Sequence, residues 1–189
     1  KVTGIRVNEE SYVADSVIVT AGAWADELLS PLGIDLQLTA QKAQIVHLHL
    51  QDVQTDNWPV VMPPNDQYLL AFDNGQVVIG ATHEDDKKFD LRVTAGGLNE
   101  VFSKALSVAP GLSDSTFVET RVGYRPFTPN FLPVIGEVPG YPGLLLANGL
   151  GASGLTVGPF LGNQLAKLAL NEDLDIDLEL YKVSDALRN

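Results

Sequence analysis

The residues most suggestive of chemistry in this 189-residue chain lie near its end: Gly149-Leu150-Gly151-Ala152-Ser153-Gly154. Three glycines spaced G-x-G-x-x-G let a backbone turn tightly and come close to a ligand. The apolar run Leu144-Leu145-Leu146-Ala147 before them predicts a buried strand, and the pattern from Leu155 to Leu170 predicts a helix. A helix N-terminus offers N–H groups and the positive end of a dipole, so this loop favours a group that carries or gains negative charge. Glu172 and Asp173 lie about twenty residues on, where a dinucleotide-binding unit carries the acid that holds a ribose. Such a helix, however, leads into a second parallel strand, and here the acids follow the helix directly with little chain left. An NAD-dependent dehydrogenase built on this loop requires a parallel strand after residue 171. The remaining alternative is simple strand-to-helix packing through small residues.

Other chemistries are narrowed by composition. The chain has no cysteine, which excludes disulfides, thiolate catalysis and Cys-based metal sites within it, and which suits the expected cytoplasmic location. His47 and His49 share one strand face, but no third ligand is spaced for a metal, so none is expected. Twelve Lys and Arg against 24 Asp and Glu leave a net charge of −12, which argues against nucleic acid or an anionic membrane as partner. Val138 to Ala166 carries no charge, yet Pro139, Pro142, Pro159 and recurring glycines argue against a membrane span. The start, Lys1-Val2-Thr3-Gly4-Ile5-Arg6-Val7, has neither a secretion signal nor an initiator Met, and the expectation is a trimmed sequence.

The elements that must position the loop can be read along the chain. Residues 2–7 and 12–20 predict two strands around the polar turn Asn8-Glu9-Glu10-Ser11, with Val17-Ile18-Val19 buried on both faces. A short helix from Trp24 to Leu29 is stopped by Ser30-Pro31. From about Leu36 the texture changes to alternating strands. Val46, Leu48 and Leu50 alternate with the two histidines, and Tyr68–Phe72 and Val77–Thr82 flank the hairpin turn Asp73-Asn74-Gly75. Thr94 is placed to cap a helix reaching Val108, ended by Pro110-Gly111. Phe117–Gly123 predicts a strand, followed by an irregular Pro-rich segment from Arg125 to Pro133, and the acidic tail predicts helix. The fold class is α/β (α+β), with a β-rich insert between two pieces of one α/β unit.

Several segments, in order and covering nearly the whole chain, resemble the D-amino-acid oxidase family, which includes glycine oxidase and sarcosine oxidase. They are Val17-Ile18-Val19-Thr20-Ala21-Gly22-Ala23-Trp24, then Tyr68-Leu69-Leu70 with Gly75 and Val77-Val78-Ile79-Gly80-Ala81-Thr82. Gly123-Tyr124-Arg125-Pro126-Phe127-Thr128-Pro129, Leu132-Pro133-Val134-Ile135-Gly136 and the Gly149 loop follow. The resemblance implies a Rossmann-like FAD-binding domain, supplied in part by residues 1–37 and 121–189, with a β-rich substrate domain at 38–120. It implies that the FAD fingerprint proper lies upstream of Lys1, and that this chain alone is inactive and binds FAD poorly.

By the same resemblance the C-terminal loop faces the flavin ring, so Ala21, Gly22, Gly149, Gly151, Ala152, Ser153, Gly154 and Leu155 would be cofactor-binding residues. Loop N–H groups would stabilise charge developing on the ring as hydride arrives. Arg125 would grip a substrate carboxylate bidentately, with Tyr68 near that carboxylate and His83 lining the pocket. No side chain is assigned as catalytic acid or base, because hydride transfer asks chiefly for orientation and a dry pocket. The activity implied is oxidation of a small-molecule amine or amino acid by FAD, with oxidase or dehydrogenase, the particular substrate and the oligomeric state left open. A non-catalytic binding or assembly subunit of the same fold is the competing reading. The departures from the family are Gln41-Lys42-Ala43-Gln44 where it carries Arg-Gly-Gln, Leu150 for a histidine and Asn130 for an Asp, of which Ala43 and Leu150 permit that reading.

Overall fold

The computed structural model describes residues 1–85 and 87–188. It divides into two compact units, Lys1–Ala40 with Arg125–Asn189, and Gln41–Tyr124.

In the first unit, β1 (Gly4–Val7) and β2 (Glu10–Val13) form an antiparallel hairpin. Its turn includes Asn8 at φ 54°, a left-handed conformation that Asn tolerates well. The single strand expected over 12–20 is thus divided into β2 and β3 (Val17–Val19). β3 runs parallel to β9 (Leu144–Asn148), and β8 (Val134–Glu137) lies antiparallel on the other side of β9. As the middle strand, β9 is covered on both faces. Leu144 and Leu146 pack with Val19, Leu29, Leu36 and Val134, while Leu145 packs with Ile135 and with Leu161 and Leu165 of α3 (Gly154–Ala169). Each such leucine contributes about 1.5–3 kcal/mol of burial. The core under α3 takes in β8 and β9 but no residue of β3, so Ile18, expected to be buried, remains 44% exposed.

The helix expected from Trp24 is a 3-10 turn (Gly22–Trp24) leading into α1 (Ala25–Leu29) and a second 3-10 turn (Ser30–Leu32) that contains Pro31. After α3 the acidic tail forms two further 3-10 turns, Leu178–Leu180 and Val183–Ala186, in place of the expected helix. Val183 and Ala186 complete the first core. Among the described residues the strand pairing after α3 is limited to the isolated antiparallel bridge Leu36–Leu187, so the parallel strand that an NAD-binding loop requires is not found there.

The second unit is built on a four-stranded sheet in the order β5 (Tyr68–Ala71), β6 (Gln76–Gly80), β4 (Thr39–His49), β7 (Thr116–Phe127). The β5–β6 hairpin turns through Asn74 at φ 57° and Gly75 at φ 73°, the two left-handed residues that an Asn-Gly turn provides. Alternation then sorts the faces. Val46, Leu48, Leu69, Val77 and Ile79 lie against Val101 and Ala105 of α2 (Ala95–Val108). α2 begins as expected, with the Thr94 hydroxyl accepting from the Gly97 N–H at 3.1 Å. Among the described residues no helix is long and apolar enough to cross a membrane.

Candidate functional site

Two turns leave the carboxyl ends of the parallel strands β3 and β9, the place where open α/β sheets bind ligands. The turn after β3 carries Ala21 and Gly22; the turn after β9 is the Gly149 loop. Asn148, only 3% exposed, joins them. Its Nδ2 donates to the Gly22 carbonyl at 2.8 Å, and its Oδ1 accepts from the Gly149 N–H at 2.7 Å. Gly149 holds φ 80°, and a Cβ there would overlap the Thr128 side chain, so no other residue fits without displacement. An apolar cleft of about 240 Å³ opens beside the turns, lined among others by Thr20, Gly22, Asn148, Gly149, Leu150 and Leu161. Ala152 and Ser153 are exposed where α3 begins, Gly151 and Gly154 half-buried, and Leu155 presents 95% of its surface. Ala21 is half-buried against the first core.

Arg125 lies half-buried on β7, of which only the last residues, 125–127, belong to this unit. The expected irregular segment therefore begins later, since β7 runs to Phe127. Pro126 is tolerated because β7 is an edge strand of its sheet.

In the second unit, Tyr68, Gly80 and Ile45 form one cross-strand row on the face away from α2. A Cβ on Gly80 would stand 2.7 Å from Ile45 Cγ2 and 3.3 Å from the Tyr68 hydroxyl, so the glycine is what lets the two side chains close over it. His83 is exposed, three residues further on.

On the α2 side of the same sheet lies a buried polar set. Lys42, Gln44 and Thr82 are all 0% exposed. Lys42 Nζ donates to the Arg92 carbonyl at 2.6 Å and stands 3.9 Å from Glu84 and 3.7 Å from Asp90. Gln44 Nε2 donates to Glu84 at 2.6 Å and to Thr94 Oγ1 at 3.0 Å, and its Oε1 accepts from the Thr94 N–H at 2.9 Å. The Thr82 hydroxyl accepts from the Gln44 N–H at 2.9 Å and donates to Glu84 at 2.8 Å. Burial opposes ionisation of Glu84, but the bonds from Gln44 and Thr82, with the charges of Lys42 and Lys87, outweigh it and hold the carboxyl below its usual range. Asp90 is held well below that range, chiefly by the side-chain and backbone bonds from Arg92. Burial, together with the charges of Asp90 and Glu84, pushes the Tyr124 phenol up. Its ring packs edge-on to Phe89 at 5.1 Å.

The structure thus brings Gly22 together with the Gly149 loop in one unit and places Tyr68 beside Gly80 in the other. Sequence reasoning missed Asn148, which looks like the polar end of a buried run. It also missed Lys42, Thr82 and Glu84. Lys42 did leave a signal, since it shares the parity of Val46 and Leu48 on β4 and so belongs to the buried face. Among the described residues no group of acidic and histidine side chains could hold a metal.

The chain is 62% identical over 187 residues to the uncharacterized oxidoreductase YurR of Bacillus subtilis (strain 168), covering 98% of this chain and 50% of that one. It is 32% identical to a glycine oxidase of Pseudomonas putida over 84% of this chain and 42% of the relative. Among solved structures, iminodiacetate oxidase (IdaA) from Chelativorans sp. BNC1 superposes with a TM-score of 0.88 at 52% identity, over 92% of this chain and 47% of that one. Glycine oxidase from Geobacillus kaustophilus gives 0.84 at 28% identity, over 93% and 47%. The chain therefore spans about half the length of the relatives it matches. The family profile for FAD dependent oxidoreductases matches residues 1–168, and with these relatives it shows that the chain belongs to the DAO family of FAD-dependent oxidoreductases.

Proposed function

We propose that the protein carrying this chain oxidises a small amine or amino acid with FAD, and that a substrate bearing a carboxylate is preferred. The observation that carries this reading is the pair of glycine turns at the ends of β3 and β9, tied by Asn148 and opening on an apolar cleft. A flat, largely apolar ring system with polar edges fits such a surface. Gly22 leaves its backbone open to close approach, Leu150 and Leu161 offer dispersion contact, and the start of α3 favours an edge that gains negative charge. Ala21, Gly22, Gly149, Gly151, Ala152, Ser153, Gly154 and Leu155 are the residues that would hold it. Bound there, the flavin supplies the acceptor for a hydride leaving the carbon next to the amine nitrogen, and the resulting imine is hydrolysed by water.

The protein's own residues bind and orient the substrate. In this reading the guanidinium of Arg125 holds the carboxylate by two parallel hydrogen bonds and fixes which C–H is presented. Tyr68 contributes a hydroxyl, with its ring packed over Gly80, and His83 shapes the side of the pocket. Relatives named for iminodiacetate and glycine oxidation support a carboxylate-bearing substrate.

The test uses the full-length, flavin-loaded protein. Arg125→Ala is expected to raise KM for amino-acid substrates about 10- to 100-fold, the loss of a charge-assisted pair, while leaving KM for plain amines nearly unchanged. Equal effects on both substrate classes would remove Arg125 from this role. A colourless preparation with no flavin spectrum would instead favour a non-catalytic subunit of the same fold.

A further inference from the structure

The strand pairing that carries His83 contains a one-residue offset. Along β4 and β6 the register sets Ile45 opposite Gly80, and Val46 opposite Ile79. Three residues back along β4, Lys42 faces Glu84, four residues beyond Gly80; the Lys42 and Glu84 amides exchange two hydrogen bonds of 2.9 Å. The Thr82 N–H meets the Gln44 carbonyl at 3.2 Å in the same shifted register. One extra residue, Ala81, is therefore accommodated as a bulge. Its carbonyl is taken by Gln67 Nε2 at 3.0 Å.

The offset decides which way His83 faces. Thr82 and Glu84 turn toward Gln44 and Lys42, on the α2 side. In extended backbone the residue between them belongs to the opposite face, level with Ala43 and on the side of Ile45 and Tyr68. Without the extra residue His83 would stand opposite Lys42 and belong to the buried side, because a slip of one residue exchanges the two faces.

What holds the offset is chemical as well as geometric. The Thr82 hydroxyl accepts a hydrogen bond from the Gln44 N–H and donates one to Glu84, which Gln44 and Lys42 hold from the other side. We propose that Thr82 is a positioning residue for the substrate face: with Lys42, Gln44 and Glu84 it locks the bulged register that sets His83 on the side of Tyr68. This rests on the reading that His83 lines the substrate pocket.

The test compares Thr82→Val, which keeps the shape and removes the hydroxyl, with Thr82→Ser, which keeps the hydroxyl, in the full-length flavin-loaded protein. Thr82→Val is expected to raise KM about tenfold with kcat changed less than about threefold, and Thr82→Ser to restore KM. In a His83→Ala background Thr82→Val is expected to add less than about twofold, since a residue acting through another has no further effect once that one is gone. Hydrogen exchange at the Gln44 and Glu84 amides is expected to accelerate in Thr82→Val. Unchanged KM, an unchanged exchange rate, or a full effect in the His83→Ala background overturns the proposal. If His83→Ala alone leaves KM unaltered, the assignment of His83 to the pocket fails, and the positioning role falls with it. Should Thr82→Val not fold, Glu84→Gln, which keeps the shape and removes the charge facing Lys42, carries the same comparison.

Discussion

A single buried amide does much to define the two glycine turns at the ends of β3 and β9. Asn148 gives one hydrogen bond to the turn after β3 and takes one from the turn after β9, so neither turn can move without leaving a polar group unpaired. Asn148→Ala would strand the Gly22 carbonyl and the Gly149 N–H together. The expected cost is about 1–3 kcal/mol in urea unfolding, the penalty for leaving buried partners unmet. A loss under about 0.5 kcal/mol would mean that water replaces the amide without penalty. Asn148 differs from the neighbouring glycines in kind. They permit close approach, whereas it fixes which backbone atoms approach each other.

At the scale of elements, the two sides of a helix or strand have separable jobs. Leu48 on β4 is buried against α2, and Leu48→Ala is expected to destabilise by about 2–5 kcal/mol through lost contact and a residual cavity. Leu155, at the start of α3, is 95% exposed, so Leu155→Ser should leave unfolding within about 0.5 kcal/mol of the parent. The same substitution should weaken flavin binding in the full-length protein if that surface meets the ring, and a titration of flavin fluorescence checks it. Elements of this sort were legible where the signal is local. Asn74-Gly75, the Thr94 cap, the apolar run of β9 and the glycine-opened α3 all act within a few residues, and each stands where the pattern puts it. The division of 12–20 into two strands depends instead on β2 pairing with β1 and β3 with β9, and the exposure of Ile18 on what packs above β3. The extension of β7 through Pro126 depends on its place at the sheet edge. The bulge at Ala81 was illegible for the same reason. It is set by partners about 40 residues away on β4, and nothing within residues 80–84 announces it.

For the molecule as a whole, 24 acidic residues against 12 basic ones make stability depend on where carboxylates are held. Each unit has its own acid-held tie. In the second, Glu84 and Asp90 bracket Lys42. In the first, Asp175 accepts from Lys167 at 2.7 Å and Gln164 at 2.8 Å while its own N–H donates to Gln164 Oε1, fixing the chain after α3. The bond from Lys167, then that from Gln164, holds the Asp175 carboxyl below its usual range, as the set around Glu84 does there. The sign follows from linkage. A carboxyl whose folded value is depressed binds its proton more readily in the unfolded chain, so its contribution is complete above the ordinary value near about 4 and fades as pH falls through that value toward the folded one. The melting temperature should accordingly be nearly flat from about pH 7 to 5 and fall steeply below about pH 4.5. Glu84→Gln and Asp175→Asn should each start lower at neutral pH and fall less on acidification, because neither side chain has a proton left to take up. Parallel curves for parent and variants would show that other carboxylates carry the acid sensitivity and that these two ties contribute little to either unit.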